Sequence, residues 1–408
     1  ITHTTTTMLG FQSVHLALGL VVVPCPATKW DAHGTITPSV PYRKILREIS
    51  APSSVRSPDD ERAWLESQSS RLMNDLSDAG ALRFTGFNLT KTKAGLRAFC
   101  TALALDPCSD PLASIGVRSL LSATDGVYEA VNAEALSKTL IGLHNDVTYK
   151  LAAPFAAFAC FQPAAEGGEF LVADGRAVLA ACDSTVLTQL RQRQLSVRVA
   201  SIPMGMALAE PLATWLKSFV SVVLSWALPL DLVLEWSADG RVLQILEQPK
   251  PPINRHPESG VPSFFSSLHS QSAYLQRRRA HTATNGEQAT NLAIGSTDVF
   301  YGDLSEIEPE ILNHIDEVIS AQTRRVCMQR GEVVLLDSYQ VLHGRDVFEG
   351  PREHGVVWLT RRRGTDDVQD DINIEDEESR GTINTGAANN NWNALSGWIN
   401  RWAVKGRS

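Results

Sequence analysis

The sequence lacks a membrane-length apolar run, a paired-cysteine spacing, a basic face and an internal repeat. Its longest apolar run, Met8–Val23, is interrupted by Gln12, Ser13 and His15, and it falls short of the roughly 20 apolar residues that a membrane helix needs. It reads either as the remnant of a targeting sequence, since the chain starts at Ile1, or as an element packed on the core. The six cysteines (25, 100, 108, 160, 182 and 327) show no CxxC or zinc-finger spacing. Scattered thiols in apolar contexts read as buried and reduced, so the expected compartment is the cytoplasm, or an organelle lumen after removal of a leader. Much of the acidic excess behind the net charge of −8 sits in the C-terminal tail, and the lack of a basic face argues against nucleic-acid binding. Gly167-Gly168 is followed by no helix start with Lys-Ser/Thr, which excludes a phosphate loop. It reads as a turn that needs positive φ.

What is present is an ordinary globular composition, 43% hydrophobic and 20% charged over 408 residues, enough for one elaborated domain or two. Residues 1–59 are Pro/Ser/Thr-rich and read as an N-terminal extension, mostly irregular, with a strand near Val21–Val23. Trp64, Leu65, Leu72, Met73 and Leu76 place an amphipathic helix over Asp59–Ser77, ended by Asp78-Ala79-Gly80. A strand follows at Ala81–Phe87 and a helix over Lys91–Leu105. Further strands are expected at Pro154–Phe161, Phe170–Ala173, Leu195–Ser201, Arg325–Gln329, Glu332–Asp337 and Gly355–Arg361, and a helix at Val178–Leu190. Leu232–Trp236 and Val242–Leu246 flank Ala238-Asp239-Gly240 as a hairpin. Many short strands with Gly-centred turns point to a jelly roll or barrel. Residues 363–391 are an acidic flexible linker by composition. Residues 392–408 carry Trp392, Trp398 and Trp402, a segment that docks on the protein's own surface or on a second copy in a homo-oligomer.

The chemistry centres on Leu143-His144-Asn145-Asp146. In an extended segment His144 and Asp146, at i and i+2, leave the same face. With a third ligand they form a two-His, one-carboxylate set that leaves three coordination positions open, as in non-haem Fe(II) oxygenases. With 10 His and 23 Asp in the chain, a His-x-Asp triplet arises by chance about once in two such sequences. A second one, His314-Ile315-Asp316, lies in a stretch of helical spacing (Ser305–Ala321, with Ser305 and Glu308 as a capping box). On a helix, i and i+2 diverge by about 200°, so that pair reads as solvated. The third-ligand candidate is His343, after the apolar run Val333–Leu336, and nine residues later Arg352 offers a guanidinium for bidentate carboxylate binding. Arg176 and Arg345 read as structural ion-pair donors, and Arg277-Arg278-Arg279 as a solvated run.

These blocks, together with Gly80–Phe87, Gln162–Glu169 through Val178, Tyr301–Ser305, Gln329–Asp337 and His343–Arg352, resemble the taurine dioxygenase/clavaminate synthase-like (TauD/TfdA) family of Fe(II)- and 2-oxoglutarate-dependent oxygenases. They resemble most the branch that acts on amino acids and amino-acid-derived natural products. The resemblance covers about residues 60–362 and implies a mainly β fold with flanking helices (α+β) around a double-stranded β-helix, or jelly roll. It implies Fe(II) on His144, Asp146 and His343, with 2-oxoglutarate salt-bridged to Arg352 and O2 as oxidant. The expected reaction is C–H oxidation (hydroxylation) of a small amino-acid-like molecule, with release of succinate and CO2. Oxidative cyclisation or desaturation on the same chemistry is the first alternative, and an inactive metal-binding relative acting as an assembly subunit the second. Family halogenases have a small residue in place of the carboxylate, so Asp146 favours hydroxylation, desaturation or ring closure. Phe170 stands where the family usually has a Thr that helps hold 2-oxoglutarate. The 197 positions between Asp146 and His343 imply an insertion, a lid at about 200–290. Asn145, Tyr149 and Tyr128 are the substrate-pocket candidates.

Overall fold

The computed structural model describes residues 29–30, 45–108, 119–146, 153–203, 232–237, 241–283 and 297–362. Cys25, Tyr149, the run Met8–Val23, the apolar centre of the expected lid, the acidic linker and the Trp-bearing segment lie outside them.

The long N-terminal helix runs Pro58–Ala79. Ser57 Oγ accepts from the Asp60 backbone N–H at 3.2 Å, and Asp60 Oδ2 accepts from the Ser57 N–H at 3.1 Å. This reciprocal pair satisfies two donors that the first turn leaves orphaned. Gly80 closes the helix at φ 75°, its N–H donating to the Leu76 carbonyl, a left-handed conformation glycine adopts without strain. Leu65, Leu72 and Leu76 are thereby turned onto the sheet below, where Leu82, Phe84, Phe161 and Leu335 complete the packing with Leu96 and Phe99 of the helix Lys93–Ala102.

The core is two facing antiparallel sheets between which the chain crosses repeatedly. Phe155–Gln162, Val333–Asp337 and Glu353–Arg361 are neighbours in the larger sheet, and Phe170–Asp174 and Val341–Arg345 are neighbours in the smaller one. The path large–small–large–small–large is that of a double-stranded β-helix. Side chains alternate along each strand. Phe158 and Cys160 therefore point inward to Phe170, Val172 and Trp358, while Ala157, Ala159 and Phe161 point out to the helices. Leu171 and Leu342 likewise leave the smaller sheet outward, onto Leu187, Ile315 and Ile319. With both faces covered, these strands read as continuous apolar runs.

Several elements depart from the sequence expectations. Arg47–Ser50, in a stretch expected to be irregular, pairs in parallel with Ala81–Thr85 at the sheet edge. The helix expected over Val178–Leu190 is two, Gly175–Ala181 and Ser184–Arg193, parted at Cys182-Asp183. The helix expected from Ser305 begins at Pro309, and no Ser305/Glu308 capping box forms. Ser305 Oγ bonds Asp303 instead, and Glu308 accepts from Tyr301, because proline pre-sets the first turn and, lacking an N–H, cannot bond the Ser305 carbonyl as a helix begun at Ser305 would require. The expected hairpin forms: Leu232–Trp236 and Val242–Glu247 pair antiparallel. Among the described residues four cysteines are buried as expected, but Cys327 is exposed.

Candidate metal centre

His144 ends the strand Ile141–His144, and Asp146 follows it. His343 sits within the strand Val341–Arg345. The turn comes earlier, at Ser338–Gln340, where Asp337 Oδ1 accepts from the Tyr339 N–H. The two strands are antiparallel neighbours with His144 directly opposite His343, and their rings stand 4.7 Å apart. Asp146 bridges them: Oδ1 lies 3.3 Å from His144 Nε2, and Oδ2 lies 3.1 Å from His343 Nε2. One ligand atom from each residue lies within 4.8 Å of the other two. His144 Nδ1 is 2.8 Å from the Gly142 carbonyl. Donation there fixes the tautomer whose Nε2 lone pair faces the carboxylate. Two imidazole nitrogens and a carboxylate converging on one point suit a divalent first-row metal and leave one side open.

The open side is a cavity lined by Phe158, Phe170, Arg345, Arg352 and His354 together with the three ligand candidates. Phe170 packs nearly parallel to the His343 ring (18°, centroids 6.1 Å) and against Phe158 at 4.7 Å. Arg352 Nη1 donates to the Ala130 carbonyl and to Asn132 Oδ1, each at 2.9 Å, and its Nε–H is buried without an acceptor. Burial and the charge of Arg345 push the Arg352 guanidinium down to about 9, and burial pushes Arg345 down to about 10. Burial, then Arg352 and Arg345, hold His354 well below the usual imidazole range, so it is neutral. An unsatisfied donor on a buried cation beside the metal ligands fits a carboxylate-bearing co-substrate.

Residues 42–360 match the family described as "Taurine catabolism dioxygenase TauD, TfdA family". The chain belongs to the TauD/TfdA family. It is therefore an Fe(II)- and 2-oxoglutarate-dependent oxygenase. The dapdiamide synthesis protein DdaC of Enterobacter agglomerans is 25% identical over 289 residues, 70% of this chain and 83% of its own length. The PvcB protein of Pseudomonas aeruginosa overlays 81% of this TauD/TfdA chain and 97% of its own, at 16% identity and a TM-score of 0.45. An asparagine oxygenase solved with Fe(II), 3-hydroxyasparagine and succinate overlays 76% and 92%, at 13% identity and a TM-score of 0.43. With TM-scores this low, the two overlays add nothing to the family match. Among the described residues no helix is long and apolar enough to cross a membrane.

The other site candidates fare unevenly in this TauD/TfdA chain. Asn145 is buried away from the cavity, its Nδ2 donating to the Ser338 and Val341 carbonyls and its Oδ1 accepting from the Ser266 N–H. It ties loops together, because a buried carboxamide must satisfy its own donors and acceptor. Tyr128 is buried in the core among Phe158, Val356 and Trp358, and it does not line the cavity. Arg176 forms its expected ion pair, with Asp174 at 2.8 Å, whereas Arg345 meets no carboxylate among the described residues and donates to the Asp346 and Leu136 carbonyls. Asp316 is not solvated. It bonds His269 and Arg279, so Arg279 is no free surface charge either. His269 Nδ1 in turn accepts from the Leu143 N–H at 2.8 Å, directly behind His144. Asn132 and His269 carry no spacing signal in the sequence, and both act through the fold.

Proposed function

We propose that this oxygenase hydroxylates a C–H bond of a small, amino-acid-like molecule, with His144, Asp146 and His343 as the iron ligands and Arg352 as the anchor for the distal carboxylate of 2-oxoglutarate. The observation that carries the reading is the three-ligand face with its carboxylate present, opening on a cavity that holds a buried, incompletely satisfied Arg352. DdaC, a dapdiamide synthesis protein by name, supports an amino-acid-derived substrate.

When bound, iron, 2-oxoglutarate and O2 supply the oxidant for C–H cleavage, with succinate and CO2 as co-products. The chain's own contribution is positional. His144 and His343 present their ring nitrogens from adjacent strands, so the spacing between them is set by sheet register rather than by mobile loops. Asp146 adds the negative charge that favours a divalent cation. Arg352 fixes the far end of the diacid and hence the direction in which its 2-oxo acid end approaches the ligand face. Phe158 and Phe170 wall the cavity with apolar rings, which exclude water from the reacting region.

The test is anaerobic Fe(II) titration with and without 2-oxoglutarate, followed by succinate release across a panel of free amino acids, their amides and short peptides. Binding of metal and diacid in the wild type, lost in His343→Ala and weakened in Arg352→Ala, supports the residue roles. A product heavier by one oxygen supports hydroxylation. Loss of two hydrogens instead moves the assignment to desaturation or ring closure, and no substrate-dependent succinate from the whole panel overturns the amino-acid-like substrate.

A further inference from the structure

Two guanidinium groups are buried beside the triad, and neither reaches a carboxylate among the described residues. Arg345 is 3% exposed and Arg352 7%. Arg345 donates Nη1 to the Asp346 carbonyl at 2.8 Å and Nη2 to the Leu136 carbonyl at 3.0 Å. The acceptors of Arg352 are the Ala130 and Val131 carbonyls and the Asn132 carboxamide. Every one of these acceptors is neutral. The Nε–H of each arginine is buried with no acceptor among the described residues. Both guanidinium groups pack on the ring of Phe348, their central carbons 4.8 and 5.6 Å from its centroid. Carbonyl dipoles partly solvate such cations but do not neutralise them, and two like charges withdrawn from water into one pocket call for an anion.

Sheet register directs Arg345 to the same place. Val172 is opposite His343 and Phe170 is opposite Arg345, two steps along both strands; on the other side the register shifts by one residue of the Ile141–His144 strand, which puts Ile141 opposite Arg345. His343 and Arg345, two residues apart on one strand, therefore leave the same face. Both line the cavity that contains His144 and Asp146, as do Arg352 and His354. His354 Nδ1, also buried, has no partner among the described residues. The residues directly across from Arg345 on its two neighbouring strands are Phe170 and Ile141, and neither side chain supplies an acceptor.

We propose that Arg345 is a second carboxylate-binding residue of the co-substrate pocket, acting with Arg352 on the distal carboxylate of the 2-oxo diacid, an inference that rests on the oxygenase reading above. Arg345 is then a determinant of co-substrate choice. The pair favours a diacid over a 2-oxo monoacid that chelates metal equally well but leaves both guanidinium groups unanswered.

The experiment is calorimetric titration of the Mn(II)-loaded protein with 2-oxoglutarate and with pyruvate, in the wild type, Arg345→Gln, Arg345→Lys and Arg352→Gln. Arg345→Gln is expected to weaken 2-oxoglutarate binding by at least tenfold while pyruvate affinity and metal affinity stay at wild-type values. Arg345→Lys, which keeps the charge but loses the fork, is expected to fall between. An equal effect on both ligands, or no effect on either, overturns the proposal and returns Arg345 to a structural role. If Arg345→Gln does not fold, Arg345→Lys decides by the same comparison. Failure of the wild type to bind 2-oxoglutarate instead overturns the oxygenase reading itself, and this proposal with it.

Discussion

Asn132 holds Arg352 and His354 in one grip. Its Oδ1 accepts from Arg352 Nη1 and from the His354 backbone N–H, each at 2.9 Å, and its Nδ2 donates to the His354 carbonyl at 2.8 Å. The preceding Val131 has φ 51°, a conformation that costs a β-branched residue of order 1–3 kcal/mol, and its carbonyl lies 3.4 Å from Arg352 Nη1. Asn132→Ala removes a hydrogen bond to a charged group, about 1.5–3 kcal/mol. The KM for 2-oxoglutarate is expected to rise roughly tenfold or more by the same measure, with iron affinity unchanged. A titration in which both affinities fall together would sink this role.

Phe170 is buried against His343 and Phe158. Phe170→Ala opens a void on the inner face and is expected to lower stability by about 3–5 kcal/mol, the usual range for a buried Phe. It also frees the His343 ring to turn, so iron affinity falls in parallel. The checks are chemical denaturation of the apoprotein and an iron titration. A stability loss under about 1 kcal/mol is incompatible with the packing described.

Gly344 lies between His343 and Arg345, and a Cβ there would come within 2.4 Å of the Ile141 carbonyl. Gly344→Ala therefore pushes the His343 strand away from the His144 strand, at about 1–3 kcal/mol for the overpacking. The expected signature is an iron affinity reduced by more than the change in thermal stability alone accounts for. Retention of wild-type iron affinity contradicts the close approach.

Acidification acts through the cluster behind His144. Burial outweighs the Asp316 hydrogen bond and lowers His269 to about 4, while hydrogen bonds from His269 and Arg279 overcome the opposing effect of burial and hold Asp316 well below the usual carboxylate range. Both groups bind protons more readily when the chain is unfolded. Their contribution to stability is thus complete above about pH 6.5, the unfolded histidine value. It is lost as pH falls through about 4 for His269, and further still for Asp316. The thermal midpoint of the apoprotein is expected to decline from pH 6.5 downward, and His269→Gln is expected to flatten that decline. Parallel curves for wild type and variant would refute it.

The triad was legible in the sequence because its constraints are local and chemical: i and i+2 on an extended segment fix His144 and Asp146, and family order supplies His343. A jelly roll or barrel was legible in the short apolar runs parted by glycine, and the family resemblance narrowed it to a double-stranded β-helix. The capping box at Ser305 was misread because Pro309 sets where that helix begins, and the pattern S-x-x-E occurs without a box. Asp316 was read as solvated because helical spacing locates a side chain on its own helix but does not say what packs against it. His269, 47 positions away, does so. The same limit hid Arg345. An arginine next to an aspartate reads as an ion pair, yet Asp346 pairs with Arg325 and gives Arg345 only its backbone carbonyl. Asn132 was invisible for want of any periodicity in the segment that carries it.

Asp146 and His343 are 197 positions apart in the chain yet in direct contact. Contacts of such long sequence separation are late to form, since a large loop must close before they return any energy. A chain still emerging from the ribosome carries His144 and Asp146 long before it carries a third ligand. High-affinity iron loading is consequently a property of the completed barrel. The metal is held only once the walls of the cavity around it exist, so a half-made chain does not present a reactive ion to its surroundings.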